Sequence, residues 1–335
     1  MDKIKVVFFH RKPVIGSFSV EYIFEDVRSR LSESIEPVKF VCNRVSTGFI
    51  NRLYNVWECS NRQGDINHVT GDIHFVTLLM SKNKTVLTIL DCVFMEKHTG
   101  IKRWILKTFW LDLPVRKSSI ITAISEATKQ EIVKYTNCNQ EKIKVVPVAI
   151  SEKFKRVDKN FNDSKPVIFH IGMAPNKNLI RLIEAIEGLN VHLSIVGKLN
   201  DEYISKLKSS NIDYSNAYGI SDEEMLQKYI ECDVMSFVST YEGFGMPILE
   251  AQSTGRVVVT SDVSSMPEVG GKAAHYVDPL NVESIRSGIL KVINDVDYRN
   301  DLITKGFENI KRYDPQNIAN MYEEIYLKLF NNNSQ

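Results

Sequence analysis

The chain has 335 residues, 43% hydrophobic and 25% charged, and its 42 Lys+Arg against 41 Asp+Glu leave a net charge of +1. That length suits two domains of ordinary size, and the charge balance gives no electrostatic footprint for nucleic acid. Five scattered cysteines (Cys42, Cys59, Cys92, Cys138, Cys232) include no C-x-x-C pair, which argues against a disulfide framework and against a zinc site.

The opening MDKIKVVFFHRK has too short an apolar run for a signal peptide. No run approaches the roughly 18 apolar residues of a membrane span. A cytoplasmic protein is expected, peripheral at most to the inner face of the membrane.

Short β-branched runs alternate with amphipathic stretches along the chain. A strand over 5–9 leads through a Gly16-Ser17 turn to a helix over 20–31. Strands at 67–70, 85–90, 120–124 and 143–146 alternate with helical patterns at 73–80, 101–113 and 126–135. This is the βαβ pattern of a parallel sheet covered on both faces. Residues 151–165, SEKFKRVDKNFNDSK, lose the periodicity and read as an interdomain linker.

The alternation then resumes. Strands at 167–172, 191–196, 234–238 and 257–260 interleave with helices at 179–186, 203–208, 222–229, 282–293 and 298–307. Ser221 and Glu224 have capping-box spacing at the start of the helix over 222–229. A last helix over 314–329 carries Ile318, Met321, Tyr322, Ile325 and Leu329 at helical spacing, so one face is buried. Two Rossmann-like α/β domains are predicted, residues 1–150 and 165–312. In open parallel sheets ligands lie beyond the carboxyl ends of the strands, so the two domains should face each other across a cleft. Neither half has G-x-G-x-x-G or G-x-x-x-x-G-K-[ST], which speaks against nicotinamide and P-loop enzymes.

The most informative stretch is 234–255, VMSFVSTYEGFGMPILEAQSTG. A buried strand enters a loop holding Glu242, Gly243, Phe244 and Gly245. A helix follows, with Pro247 in its first turn and Gly255 at its end. Glycines ahead of a helix start let backbone N–H groups approach a ligand, and the helix N-terminus favours a pyrophosphate. Glu242 in the loop and Glu250 in the helix can accept hydrogen bonds from sugar or ribose hydroxyls.

This stretch, EGFGMPILE, resembles the E-x7-E hallmark of family-four glycosyltransferases of GT-B fold. The resemblance continues in TSDVSSMPEVGGKAAHYVDPLNVESI (260–285) and IGMAPNKNLIRLIEAI (171–186), and more weakly in ITAISEATKQEI (121–132). It implies that Glu250 holds the donor ribose and Glu242 the transferred sugar, while Phe244, Gly245 and Met246 offer backbone N–H groups. Lys177, after the Gly172 turn, would neutralise the leaving phosphate. Gly197, Tyr218 and Gly219 would line the base pocket. The last helix, extended to 314–330, would cross back to the first domain. The function implied is retaining, metal-independent transfer from a UDP- or GDP-linked sugar to a glycan or lipid-linked acceptor, with no cofactor. Assembly of bacterial cell-surface polysaccharide is the expected setting. A sugar-nucleotide epimerase of the same fold lacks E-x7-E. A catalytically silent subunit that binds nucleotide sugar is the alternative.

Departures from the family pattern mark the doubtful places. Met173 and Asn176 stand where relatives often carry Arg, leaving Lys177 as the firm cation of the phosphate loop. The family's N-terminal histidine spots read His68-Val69-Thr70 and Ile89-Leu90-Asp91. His74 stands nearby as a candidate in the acceptor site, and Asp91 is read either as an acceptor ligand or as a turn cap. Gly16-Ser17 either cradles the donor phosphate or forms an ordinary turn. The cluster His10-Arg11-Lys12 either greets a phosphorylated acceptor or is solvated loop charge. Residues 97–117 place Lys97, Lys102, Arg103, Lys107, Arg116 and Lys117 among Trp104, Phe109 and Trp110. A core helix with a charged outer face is expected there, and a helix lying on an anionic membrane is the alternative.

Overall fold

The computed structural model describes residues 3–13 and 19–333, so Gly16 and Ser17 lie outside the described residues. The chain divides into two compact units, Met1–Ala149 with Asp314–Gln335, and Ile150–Tyr313.

The N-terminal unit contains strands β1 (Ile4–His10), β2 (Ile35–Val41), β3 (Ile66–Val69), β4 (Thr85–Ile89), β5 (Ile120–Ala123) and β6 (Ile143–Val145). They form one parallel sheet in the order β2-β1-β3-β4-β5-β6. Its helices are α1 (Ser19–Ser29), α2 (Phe49–Ser60), α3 (Phe94–Lys97), α4 (Gly100–Leu106), α5 (Leu113–Lys117) and α6 (Glu126–Thr136). Alternation along β1 sends Val7 and Phe9 into one core and Val6 and Phe8 into the other. The C-terminal helix Pro315–Asn333 closes that second core with Ile318, Tyr322, Tyr326 and Leu329. Burying side chains of this size stabilises by about 1.5–3 kcal/mol each.

Strand β2 and helix α2 have no counterpart in the sequence reading. β2 is an edge strand with mostly uncovered side chains, and Pro37 lies opposite Val6. An edge position tolerates proline, and a strand without a buried face lacks the apolar alternation that marks strands. The segment 97–117 also departs from expectation. Residues 100–105 of α4 are exposed and only Leu106 is half-buried; the core anchors come later, at Leu111, Pro114 and Val115. It is not a core helix. Between α4 and α5 the backbone makes a π-helical stretch, Lys107–Asp112, of the kind that re-aims side chains near functional sites.

The C-terminal unit contains β7 (Val167–Ile171), β8 (His192–Val196), β9 (Tyr214–Ala217), β10 (Val234–Phe237), β11 (Val257–Ser261) and β12 (His275–Val277). The order is β12-β11-β10-β7-β8-β9, again parallel. Helices α7 (Leu179–Ile186), α8 (Asp201–Ser209), α9 (Asp222–Glu231), α10 (Met246–Thr254), α11 (Met266–Gly270), α12 (Val282–Asn294) and α13 (Val296–Asn309) complete it. The capping box forms as its spacing implies: Ser221 accepts from Glu224 N, and Glu224 accepts from Ser221 N.

Residues 151–165 are not a free linker. Phe154 is buried edge-on to Tyr229, Lys159 pairs with the buried Asp233, and Arg299 lies 3.6 Å over the Phe161 ring. The segment is irregular yet packed on the C-terminal unit, because its aromatic residues find covers there. Both sheets reverse their strand order once, between β1 and β3 and between β7 and β10. Those reversals leave crevices at the carboxyl ends, where open α/β sheets bind ligands.

Candidate functional site

At the β7/β10 reversal, β7 ends and Gly172 turns the chain with φ 94°. A Cβ there would come within 3.0 Å of the Lys177 side chain, so glycine is required. The short turn Pro175–Lys177 follows, ended by Asn178 at φ 66°. Asn178 Nδ2 donates to Val238 O (2.9 Å) and Pro279 O (2.7 Å), tying this turn to the exit of β10.

The loop after β10 is clamped on two sides. Thr240 N donates to Asn176 O at 2.8 Å, and Asn176 Nδ2 donates to Tyr241 O at 2.9 Å. Ser264 Oγ donates to Glu242 O and Ser265 Oγ to Phe244 O, each at 2.6 Å. Asn176 thus serves as a backbone clamp. The clamped loop sets Glu242 Oε1 2.7 Å from Lys177 Nζ, which also sits 4.9 Å over the Phe237 ring. Gly243 follows Glu242 in this loop.

Helix α10 starts from Gly245, at φ 114°, with Pro247 in its first turn and Gly255 ending it at φ 80°. Phe244 is buried edge-on to Tyr313, which fixes the entry to the helix. Met246, at the first helical position, therefore carries an orphan amide at the positive end of the helix dipole, while Pro247 has no N–H and Ile248 N donates to Gly245 O at 3.0 Å. Glu250, further along α10, accepts a 2.5 Å hydrogen bond on Oε2 from Tyr229 Oη. Tyr229 is fully buried and edge-on to Phe169 at 4.9 Å. Burial pushes the Glu250 carboxyl above its ordinary range, and the Tyr229 hydrogen bond pulls it partly back. Sequence reasoning missed Tyr229. It lies on a separate helix, and its spacing marks it only as a core position.

Gly197 ends β8 at φ 148°, and a Cβ there would meet Met173 Cγ at 2.5 Å. Met173, where relatives carry Arg, therefore packs on Gly197, and its carbonyl accepts from Tyr203 Oη at 3.2 Å. Tyr218 is exposed beyond β9, beside Gly219 at φ 65°. Gly172, Gly197, Tyr218 and Gly219 thus occupy the carboxyl ends of three successive strands, and Lys177 and Glu242 are in direct contact. Under them His170 is buried with Nε2 donating to Gly172 O (3.0 Å), and burial brings its pKa down to about 4.

In the N-terminal unit a cavity of about 330 Å³ opens beyond β3 and β4, lined by Arg52, Asp72, His74, Asp91 and Trp110 among others. His74 is buried and donates through Nδ1 to Trp110 O at 2.6 Å, a carbonyl in the π-helical stretch. Burial lowers its pKa, so the ring is neutral. Trp110 Nε1 donates to Asp72 O (2.8 Å), and the Arg52 guanidinium lies 4.7 Å over the indole. Asp91 Oδ1 accepts from Val93 N (3.0 Å), as a turn cap does, and the residue also lines the cavity.

In the His10-Arg11-Lys12 cluster Lys12 is exposed loop charge, donating to Asn43 O at 3.2 Å, but His10 and Arg11 are not solvated cations. His10 is buried between Arg28 Nη1 (2.7 Å) and Thr70 Oγ1 (2.9 Å), with its pKa driven to about 3. Arg11 pairs with Glu21 and Asp72, each at 3.1 Å. His68, in the segment whose Thr70 stands at the family's histidine position, is locked in the core between Tyr326 Oη and Thr88 Oγ1, each at 2.7 Å. Among the described residues, no group of three or more His, Cys, Asp or Glu side chains is placed to hold a metal ion. No helix among them is long and apolar enough to cross a membrane.

Residues 151–309 match the family described as glycosyl transferases group 1. The serotype-specific mannosyltransferase WbdA of Escherichia coli is 25% identical over 247 residues, 65% of this chain and 30% of that protein. The O-antigen chain mannosyltransferase B of Escherichia coli is 27% identical over 62% of this chain and 60% of its own length. The chain thus spans 30% to 60% of the length of these two relatives. Among solved structures, Anabaena Alr3699/HepE in complex with UDP and glucose superposes with a TM-score of 0.79 at 16% identity, covering 97% of this chain and all of that one. The fold is GT-B, built of two Rossmann-like units, and the C-terminal unit is related to the group 1 glycosyl transferases.

Proposed function

We propose that the protein is a retaining glycosyltransferase. It takes a UDP- or GDP-linked sugar in its C-terminal unit and a glycan or lipid-linked acceptor in its N-terminal unit. The observation that carries this reading is the Lys177–Glu242 contact at a strand-order reversal, followed by a glycine-held helix start and Glu250. A cation, a carboxylate and the positive end of a helix match the phosphate, the sugar hydroxyls and the pyrophosphate of one ligand. Glu250, oriented through Tyr229, suits the ribose diol. The names of the Escherichia coli relatives support a role in bacterial cell-surface polysaccharide.

In the transfer, the bond between the anomeric carbon and the leaving phosphate oxygen breaks. A bond from the acceptor oxygen forms on the same face, through an oxocarbenium-like transition state. The acceptor's proton passes to the leaving phosphate oxygen, so no side chain need act as nucleophile or base. Lys177 and the positive end of α10 stabilise the charge that grows on the diphosphate. No step calls for a metal. In the N-terminal cavity, Trp110 offers an aromatic face and Asp91 and Asp72 offer acceptors for an acceptor sugar.

Proton NMR of the transfer product gives the test. The donor's anomeric configuration should be preserved. An inverted centre removes the retaining mechanism, and donor binding without hydrolysis or transfer leaves only the silent subunit.

A further inference from the structure

We propose that α2 and α4 together form a docking surface for an anionic lipid bilayer, beside the cavity of the N-terminal unit. On α2, Phe49, Leu53 and Trp57 recur every four residues with Ile50 beside them, and all four are exposed, Phe49 by 74% and Trp57 by 58%. On α4, Ile101, Trp104 and Ile105 follow helical spacing and are exposed too, Trp104 by 62%. Scattered exposed apolar residues need no explanation. Seven on two helices that line one cavity are more than scatter, and exposure of that kind marks an interaction site.

The charge around the patch selects the occupant. Between residues 97 and 107 there are four cations and no carboxylate. Lys107 is held by Asp112, which leaves Lys97, Lys102 and Arg103 as the cations of this segment. Short amphipathic helices with aromatic and aliphatic residues on one face and Lys and Arg around it sit at the boundary between headgroups and acyl chains. Long basic side chains can bury their stems there and keep their charges at the phosphates. A bilayer demands no shape complementarity, which suits a helix whose apolar side chains are exposed.

Position links this surface to the cavity. Arg52 of α2 and Leu106 of α4 both line it, so the two helices flank one opening. An acceptor on a lipid carrier would present its sugar there while its tail stayed in the membrane. That last consequence rests on the glycosyltransferase reading; the docking itself does not.

The chain's three tryptophans, Trp57, Trp104 and Trp110, all lie on the two helices or in the cavity between them, so intrinsic fluorescence reports on this region. The full chain would be mixed with vesicles of equal parts phosphatidylglycerol and phosphatidylcholine, with neither donor nor acceptor present. Cosedimentation and a blue-shifted emission are expected, both much weaker with pure phosphatidylcholine. Lys102→Gln with Arg103→Gln should weaken partitioning by about 30-fold, from roughly 1 kcal/mol per cation. Ile50→Ser with Leu53→Ser should weaken it independently, with thermal melts like wild type because the replaced side chains are exposed. Failure to bind anionic vesicles, equal binding to both vesicle types, or wild-type binding by both double variants overturns the proposal. Self-association through the patch without vesicle binding overturns it in favour of a second copy. Nucleoside diphosphate binding, measured separately, decides the glycosyltransferase reading whichever way the vesicles answer.

Discussion

Lys177 Nζ lies 2.7 Å from Glu242 Oε1, so two groups assigned to different parts of one donor satisfy each other directly. Both side chains are largely withdrawn from water, and the clamped loop holds the carboxylate in place. A nucleotide sugar would have to exchange this contact for two others, a hydroxyl on Glu242 and a phosphate on Lys177. Removing either residue leaves the other half-buried charge without its partner.

Lys177→Ala should lower kcat on the order of a hundred- to a thousandfold, with a much smaller change in donor KM. The ammonium gains attraction as the leaving diphosphate gains charge, and Met173 and Asn176 are engaged elsewhere. Adding Glu242→Ala should give a loss smaller than the sum of the single losses, with a coupling of about 0.5–3 kcal/mol. Wild-type turnover of Lys177→Ala at saturating substrates refutes the role.

Glu250 makes a prediction about stability as well as binding. Its carboxyl is pushed above the ordinary 4.5 by burial, so the folded state holds a proton more readily than the unfolded chain. Stability is therefore lost as pH rises from about 4.5 through the raised value, and the loss is complete above it. Glu250→Gln should accordingly raise Tm at pH 7, with the gain vanishing below pH 4.5, while nucleotide affinity falls. Tyr229→Phe removes the hydrogen bond that favours the ionised form, so it should push this transition to higher pH. Thermal melts across pH, with nucleotide titrations beside them, check both. A Tm for Glu250→Gln below wild type at pH 7 contradicts the argument.

Four buried histidines set the acid limit, and burial lowers His74 along with the three whose values follow. His10 and His68 have pKa values pulled to about 3 and His170 to about 4, chiefly by burial, with nearby cations adding to it. Below the ordinary 6.5 the unfolded chain takes up protons that these rings refuse. Their contribution is therefore present above pH 6.5 and is lost as pH falls toward the folded values. Each costs about 1.4 kcal/mol per pH unit within that window. The Tm should drop between pH 7 and pH 5, since the opposing Glu250 is one group against four. A Tm that stays level over that range is the contrary outcome.

Much of the C-terminal unit was readable because its signals are local. The glycines at 172, 197 and 245 stand where positive φ demands them, and the Ser221 capping box needs only four consecutive residues. The N-terminal unit was less legible. β2 has no buried face to impose an alternation, and α2 turns its apolar stripe outward, so neither follows the rule that apolar residues point inward. The Tyr229–Glu250 and Lys177–Glu242 contacts were hidden for another reason. Each joins residues from separate elements, and only the sheet order brings them together.

The C-terminal helix bears on how the chain is made. Ile318, Tyr322, Tyr326 and Leu329 complete a core whose other walls come from β1, α1 and β3, and Tyr326 also holds His68. A ribosome therefore delivers the first unit's sheet long before the side chains that close it. Residues 150–313, contiguous in sequence, have their whole core in hand first. During synthesis the second unit can finish folding while the first still waits with an open face, a natural stage for a chaperone to cover it.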